Sequence, residues 1–99
     1  IVDEGESVLP AAQREVLEES GYQTSHVRHL YSFNPENGMS NRVFHVAHCR
    51  AEGPAGTFDG NEIHAVHWRS IDDVKQMIRT QQLHDGFSLT ALLVFLMDR

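Results

Sequence analysis

The sequence predicts a single α/β domain in which one helix is followed by three strands and then by two more helices. Three observations lead to this class. A chain of 99 residues has room for one hydrophobic core. Its hydrophobic fraction of 40% and its charged fraction of 22% are typical of a globular protein and argue against a disordered tail. Its helix and strand signals follow one another in an order typical of mixed α/β folds.

The first helix is predicted over about residues 8–19. Ser7 is a favourable N-cap, Pro10 suits a first turn, and Gly21 stands where a left-handed C-cap belongs. Apolar residues spaced by three and four positions give the helix one face for burial: Leu9, Ala12 and Val16. The sequence therefore indicates both ends of this helix and the face that packs.

Three strands are predicted over about residues 27–33, 42–50 and 63–68. Residues 34–38 are rich in turn-forming types and join the first two strands. Residues 52–61, rich in glycine, proline and aspartate, form a loop before the third strand. No repeat, linker or low-complexity segment interrupts this order, so the chain is expected to fold as one domain.

Two further helices are predicted over about residues 71–79 and 88–97. Ser70 and Asp73 resemble a capping box in which aspartate replaces the usual glutamate, and this pair opens the first of the two. Residues 85–88 interrupt the helical pattern before the second helix begins. The leucines of that last helix are expected to face the core, or to form a dimer interface if the sheet is incomplete.

The negative charge lies mainly at the start of the chain. Residues 1–20 hold six acidic residues and one basic residue, which accounts for five of the six net negative charges. Such a cluster repels nucleic-acid phosphates, so no nucleic acid is expected as a partner. A concentrated acidic patch is either a solvated helix face or a site for hard cations.

Several other functional classes are excluded by composition. The longest apolar run, residues 89–97, is far shorter than a membrane span, so no membrane association is expected. The single cysteine, Cys49, cannot form an internal disulfide, which fits the reducing cytoplasm. Its apolar neighbours predict a small buried side chain rather than a nucleophile. Histidines three residues apart on a strand point to opposite faces, so no zinc site is predicted.

Three glutamates of the first helix form the strongest candidate site. Glu15, Glu18 and Glu19 are spaced at i, i+3 and i+4, which brings their carboxylates onto one helix face within about 5–6 Å. Arg14 can pair with Glu18 one turn later, and Glu6 can reach toward the same turn. Mg²⁺ prefers carboxylate and water oxygens and bridges them to substrate phosphates. The spacing alone leaves two interpretations open, a Mg²⁺ site and a solvated acidic face.

The residues around these glutamates resemble a known motif. Residues 14–22 read Arg-Glu-Val-Leu-Glu-Glu-Ser-Gly-Tyr, and Glu6 precedes them by the required distance. This string resembles the Nudix box, which is a glycine, five residues, a glutamate, seven residues and then Arg-Glu-hydrophobic-any-Glu-Glu-any-Gly-hydrophobic. All six fixed residue types within the chain match, which chance produces at on the order of 10⁻⁸ of starting positions. The opening glycine of the motif would immediately precede Ile1.

The resemblance implies a Nudix-type α/β/α sandwich with a mixed sheet that lacks its N-terminal strands in this chain. It implies Mg²⁺-dependent hydrolysis, with Mn²⁺ as an alternative ion, of the diphosphate in a nucleoside diphosphate linked to another group. Residues 31–41 are similar to a loop of the ADP-ribose and ADP-sugar pyrophosphatase branch. ADP-ribose or an ADP-sugar is therefore the expected substrate.

The resemblance also implies roles for individual residues. The metal ligands would be three carboxylates and a supporting fourth: Glu15, Glu18, Glu19 and Glu6. Arg14 would orient them. The general base would be either Glu15 or Glu62, because family members differ in whether this group lies in the box or on a distant loop.

Two alternative functions remain, a non-catalytic Nudix-like module that binds a nucleotide or a partner, and a nucleoside triphosphate pyrophosphatase. The sequence also leaves two origins for the remaining strands of the sheet. The remaining strands are expected to come either from residues preceding Ile1 or from a second copy in a strand-swapped homodimer. The first of these is favoured.

Overall fold

The computed structural model describes residues 7–54 and 66–99. The chain divides into two units, one ending at Ala65 and the other beginning at Val66. The first unit holds one helix and two strands, and the second holds two helices: α1 Val8–Ser20, β1 Tyr22–Phe33, β2 Phe44–Pro54, α2 Ile71–Arg79 and α3 Gly86–Asp98. This content confirms the predicted α/β class. In the two described ranges, every helix is too short or too polar to span a bilayer.

α1 spans Val8–Ser20, close to its predicted bounds, because local interactions fix both of its ends. Ser7 occupies the N-cap in an extended conformation, and its carbonyl accepts the Ala11 N–H at 3.1 Å. The Ser7 hydroxyl makes no capping hydrogen bond, so the backbone part of the predicted cap is formed without the side-chain part. Gly21 adopts a φ of 78° and donates its N–H to the Leu17 carbonyl at 2.9 Å, as a left-handed C-cap does.

Replacing Gly21 by alanine is expected to destabilise the first unit by about 1 kcal/mol, because a Cβ is disfavoured at positive φ. Urea denaturation followed by circular dichroism measures this change. Gly86→Ala is the control, since Gly86 is the first residue of α3 and a Cβ there meets nothing within 4 Å. The control should leave stability unchanged or slightly higher. Equal destabilisation in both variants would contradict the role given to Gly21.

β1 and β2 pair as an antiparallel hairpin, with Phe33 opposite Phe44 beside the connecting turn. β1 begins earlier than predicted, at Tyr22, because it pairs with β2 as far as Pro54. The register shifts at three places, and His26 has a positive φ of 51° at one of them. Such bulges interrupt the alternation of apolar and polar residues on which strand prediction depends. The first part of β1 therefore carried no strand signal.

β2 begins later than predicted, at Phe44. The Arg42 N–H donates to the Ser40 hydroxyl at 3.1 Å, so the first residues of the predicted strand belong to the turn. Of the third predicted strand, residues 63–65 lie outside the described residues, and residues 66–68 adopt no strand conformation in the described part of the chain. In the described part of the chain the sheet consists of β1 and β2.

α1 packs on the hairpin through a small apolar contact. Ala11 is 2% exposed and Val46 is 8% exposed, and these two form the buried apolar core among the described residues. The Gln13 side chain joins the helix to β1 by donating to the Thr24 carbonyl at 3.1 Å. This contact determines which face of α1 lies toward the hairpin, and therefore where the glutamates of the helix are placed.

Both helices of the second unit begin at capped residues. The Ser70 hydroxyl accepts the Asp73 N–H at 3.1 Å, as the capping-box pattern predicts. Asp85 caps α3 by accepting the N–H groups of Phe87 and Ser88, both at 3.3 Å. The hydrogen bond from the Ser88 hydroxyl holds the pKa of Asp85 below its ordinary value. Residues 85–88 were predicted to separate the two helices, but α3 already begins at Gly86. It begins there because Asp85 acts as its N-cap.

The prediction that α3 faces a core is not met within the described residues, where none of its side chains is buried. Phe87, Leu93 and Met97 are among its exposed apolar side chains. The helix is apolar around most of its circumference, so its sequence does not single out one face for burial.

Candidate active site

A cavity of about 520 Å³ lies between α1 and the start of β2. α1 contributes apolar side chains together with Glu15 and Glu19, and the β2 side contributes Arg42, Phe44 and His45. The glutamates belong to the motif noted in the sequence, whereas the other three residues follow the hairpin turn. The cavity therefore brings acidic, basic and aromatic groups together, as the binding of a polar ligand requires.

Glu15 and Glu19 lie one helical turn apart, and both line this cavity. Side chains at i and i+4 have Cβ atoms about 5–6 Å apart, so two such carboxylates can approach the same ligand. Glu15 Oε1 also lies 3.7 Å from Nη2 of Arg14. The structure thus brings these two predicted site residues together at one surface.

Glu18 is placed differently from the other two glutamates. Its Oε2 atom lies 3.0 Å from Nη1 of Arg14, in the i, i+4 ion pair that the spacing predicts, and it does not line the cavity. Because a helix turns about 100° per residue, Glu18 and Glu19 leave α1 in different directions. Over the two ranges that the structure describes, no group of three or more histidine, cysteine, aspartate or glutamate side chains is arranged to hold a metal ion.

The two carboxylates of the cavity nevertheless fit a divalent ion by their chemistry. Their oxygens are the hard ligands that Mg²⁺ and Mn²⁺ prefer. Mg²⁺ is usually held by one or two carboxylates, with water and substrate phosphates completing its coordination, so a full cage of protein ligands is not needed. The remaining predicted site residues, Glu6 and Glu62, lie outside the described residues.

Arg42 is a site residue that sequence reasoning missed. It lines the cavity, its guanidinium carbon lies 5.6 Å from the ring centroid of Phe44, and its Nη2 lies 2.9 Å from Oε1 of Glu36. In the sequence it is the first residue of a predicted strand, and no motif marks it. The packing of β2 against α1 is what places this arginine in the same cavity as the glutamates.

His45, the neighbouring cavity residue, is held by two residues of β1. Ser32 Oγ lies 2.7 Å from His45 Nδ1 and 2.7 Å from His29 Nε2. The two imidazole rings meet edge to face with their centroids 5.7 Å apart. Each imidazole thus has a hydroxyl partner, and this chain of hydrogen bonds fixes His45 at the wall of the cavity.

Cys49 lies half-buried in β2, and burial raises the pKa of its thiol above its ordinary value. A raised pKa leaves less thiolate at neutral pH, which agrees with the predicted packing role. We expect iodoacetamide to alkylate Cys49 at pH 7 at least about threefold more slowly in the folded protein than in the urea-unfolded protein. Equal rates in the two states would show that burial does not protect the thiol.

Comparison with known proteins places these residues in a family context. The family model described as NUDIX domain matches residues 1–89 of the chain. A CMP-5'-(N-acetyl-N-hydroxy-3-aminopropyl)phosphonate hydrolase of Streptomyces rubellomurinus (strain ATCC 31215) is 28% identical over 99 residues. That alignment covers 97% of this chain and 47% of the relative, so the chain spans about half the length of the curated relative it matches. No solved structure matches the chain.

Proposed function

The chain belongs to the NUDIX domain family, and on this basis we propose that it is a metal-dependent pyrophosphohydrolase. Its substrate is a nucleoside diphosphate linked to another group, and water cleaves the diphosphate. The observation that supports this proposal most is the pair of carboxylates, Glu15 and Glu19, in one cavity with Arg42. A diphosphate needs positive charge around its oxygens, and this combination can provide it once the carboxylates hold a cation.

Glu15 and Glu19 are the proposed ligands of Mg²⁺ or Mn²⁺, with Glu6 in support. When bound, the ion offsets the negative charge on the diphosphate oxygens. Glu18, the third ligand that the motif predicts, is held by Arg14 at 3.0 Å and is expected to contribute less. Nη2 of Arg14 also lies 3.7 Å from Oε1 of Glu15. We propose that this arginine, which contacts both Glu15 and Glu18, orients the two carboxylates.

The general base is either Glu15 or Glu62, and two variants distinguish them. The base accepts the proton that the attacking water loses. If Glu62 is the base, Glu62→Gln loses activity but still binds Mn²⁺ like the wild type. If Glu15 is both ligand and base, Glu15→Gln loses activity and Mn²⁺ binding together, and Glu62→Gln retains most of its activity.

The proposed substrate class is ADP-ribose or an ADP-sugar, because residues 31–41 are similar to the loop of that branch of the family. A second candidate is a CMP-linked phosphonate, because the relative from Streptomyces rubellomurinus is a hydrolase of such a compound. Both candidates join a nucleotide to a second group, so the same cavity chemistry would serve either of them.

A substrate panel with and without metal tests the proposal. ADP-ribose, an ADP-sugar, a CMP-linked phosphonate and a nucleoside triphosphate are incubated with Mg²⁺, and products are separated by chromatography. We expect AMP from ADP-ribose, and we expect EDTA to abolish its release because the carboxylates then lack their cation. Binding of ADP-ribose without any product would favour a non-catalytic module. Cleavage restricted to the triphosphate would favour the triphosphate pyrophosphatase.

The proposal extends to the complete domain. We propose that the two-stranded sheet and three helices belong to an α/β/α sandwich with a mixed sheet. The remaining strands come from another segment of the protein or from a second copy in a homodimer. Light scattering tests the second origin, since a monomer in solution would exclude strand exchange.

A further inference from the structure

We propose that Arg42 binds the phosphate part of the substrate on the β2 side of the cavity, and that Glu36 covers Arg42 while the cavity is empty. This inference rests on the proposed function and adds to it a residue that determines substrate affinity. The proposed phosphate contact is a cationic side chain on the β2 side of the cavity, whereas the proposed metal ligands, Glu15 and Glu19, lie on α1.

The first support is the charge of the cavity lining. Among the described residues that line it, Glu15 and Glu19 are acidic and Arg42 is the permanently charged cation. A nucleoside diphosphate carries negative charge along its diphosphate, so a second cationic contact is needed away from the carboxylates. The planar guanidinium presents paired N–H donors that match phosphate oxygens, and Arg42 stands where this contact is required.

The second support is the way in which the guanidinium is held. It lies 5.6 Å from the Phe44 ring centroid, within the range of a cation–π contact. A guanidinium beside a ring keeps donors at its edge, and the side chain of Arg42 remains 58% exposed. The arginine is thus positioned by its neighbour and still accessible to an anion.

The third support is the hairpin turn that places Glu36 on Arg42. Asn34 accepts the Glu36 N–H at 2.7 Å and donates its side-chain amide to the Ser40 carbonyl at 2.7 Å. The Ser40 hydroxyl in turn accepts the Arg42 N–H at 3.1 Å. The resulting Glu36–Arg42 pair is exposed on both sides, and exposed pairs contribute little free energy. A phosphate with more than one negative charge can therefore displace the single carboxylate.

Variants of the two partners should act in opposite directions. Arg42→Gln is expected to raise KM about tenfold with kcat changed less than about threefold, since a substrate contact is lost while the carboxylates remain. Arg42→Lys keeps the charge but loses the paired donors, so its KM should lie between those of the wild type and Arg42→Gln. Glu36→Gln is expected to lower KM about twofold to threefold, because Arg42 is no longer covered.

A matched control comes from β2, the strand that follows Arg42. Arg50 forms a similar exposed pair with Glu52, at 3.7 Å, and does not line the cavity. Arg50→Gln removes the same charge from the protein and should change KM less than about twofold. If Arg50→Gln raised KM as much as Arg42→Gln, the effect would come from net charge and the inference would be wrong.

Binding and turnover are measured separately, so that this inference and the proposed function can fail independently. Calorimetry with ADP and Mg²⁺ reports binding, and hydrolysis of the best substrate of the panel reports turnover. If the wild type is active and Arg42→Gln is unchanged in both measurements, the inference is overturned and the function stands. If Arg42→Gln weakens ADP binding in a protein that hydrolyses no nucleotide, the inference stands and the function fails. A wild type that binds no ADP and hydrolyses no substrate of the panel overturns both.

Discussion

Glu19→Gln is expected to lower Mg²⁺-dependent hydrolysis about a thousandfold while the protein stays folded. Glu19 is one of two described residues whose carboxylates line the cavity, and glutamine has nearly the same shape but no charge. The charge stabilisation that a bound ion supplies amounts to several kcal/mol, which corresponds to about three orders of magnitude in rate. The measurement is kcat/KM at saturating Mg²⁺, with circular dichroism to verify the fold.

Glu18→Gln is the matched control for this variant. Glu18 neighbours Glu19 in sequence, but its carboxylate is bound by Arg14 and lies outside the cavity lining. The control removes the same charge from the same helix, and its side chain is 51% exposed, so little stability should be lost. We expect a loss of activity below about tenfold. Equal losses in the two variants would show that Glu18 binds the ion as directly as Glu19.

Ala11→Asp should disrupt the first unit, with a loss of at least about 3 kcal/mol in the free energy of unfolding. Ala11 is 2% exposed at the contact between α1 and the hairpin, and an added carboxylate there would be buried among apolar groups. Detachment of α1 would also separate its glutamates from β2, so activity should be lost together with the fold. Urea denaturation measures the first effect, and hydrolysis of the panel substrates measures the second.

Ala51→Asp introduces the same side chain at an exposed position of β2 and serves as the control. There the carboxylate remains in water, and the expected loss is below about 1 kcal/mol. If Ala11→Asp unfolded no more easily than this control, the contact between α1 and the hairpin would not be a core.

The helices were the most predictable elements because their signals are local. The end of α1 depends on Gly21, and the start of α2 depends on the Ser70 hydroxyl, which accepts the N–H of a residue three positions later. Each of these interactions lies within a few residues of sequence. The predicted start of α3 was two residues too late. Aspartate is common both in turns and at helix N-caps, and composition does not show that Asp85 is an N-cap.

The strands were less predictable because their bounds depend on a partner. β1 contains residues such as His26, with its positive φ, that no alternation pattern would assign to a strand. Residues 22–25, which precede this bulge, belong to the strand because β2 continues to Pro54 and pairs with them. β2 begins at Phe44 and so does not include Arg42, the first residue of the predicted strand. The Arg42 N–H donates to the Ser40 hydroxyl and is part of the turn.

The acidic half of the candidate site followed from the sequence, whereas the basic half did not. Spacing along one helix is enough to place Glu15 and Glu19 together, and it also indicates the ion pair between Arg14 and Glu18. Arg42 belongs to a different element, and its place in the cavity depends on a turn and on tertiary packing. Neither can be deduced from residue spacing.

Titration of the protein with Mn²⁺, followed by electron paramagnetic resonance of the free ion, tests the central claim most directly. That claim is that Glu15 and Glu19 together hold a divalent cation in the cavity between α1 and β2. The wild type and Glu18→Gln should bind the ion with similar affinity, and the double variant Glu15→Gln/Glu19→Gln should bind it at least about tenfold more weakly. Unchanged Mn²⁺ binding by the double variant would contradict the claim.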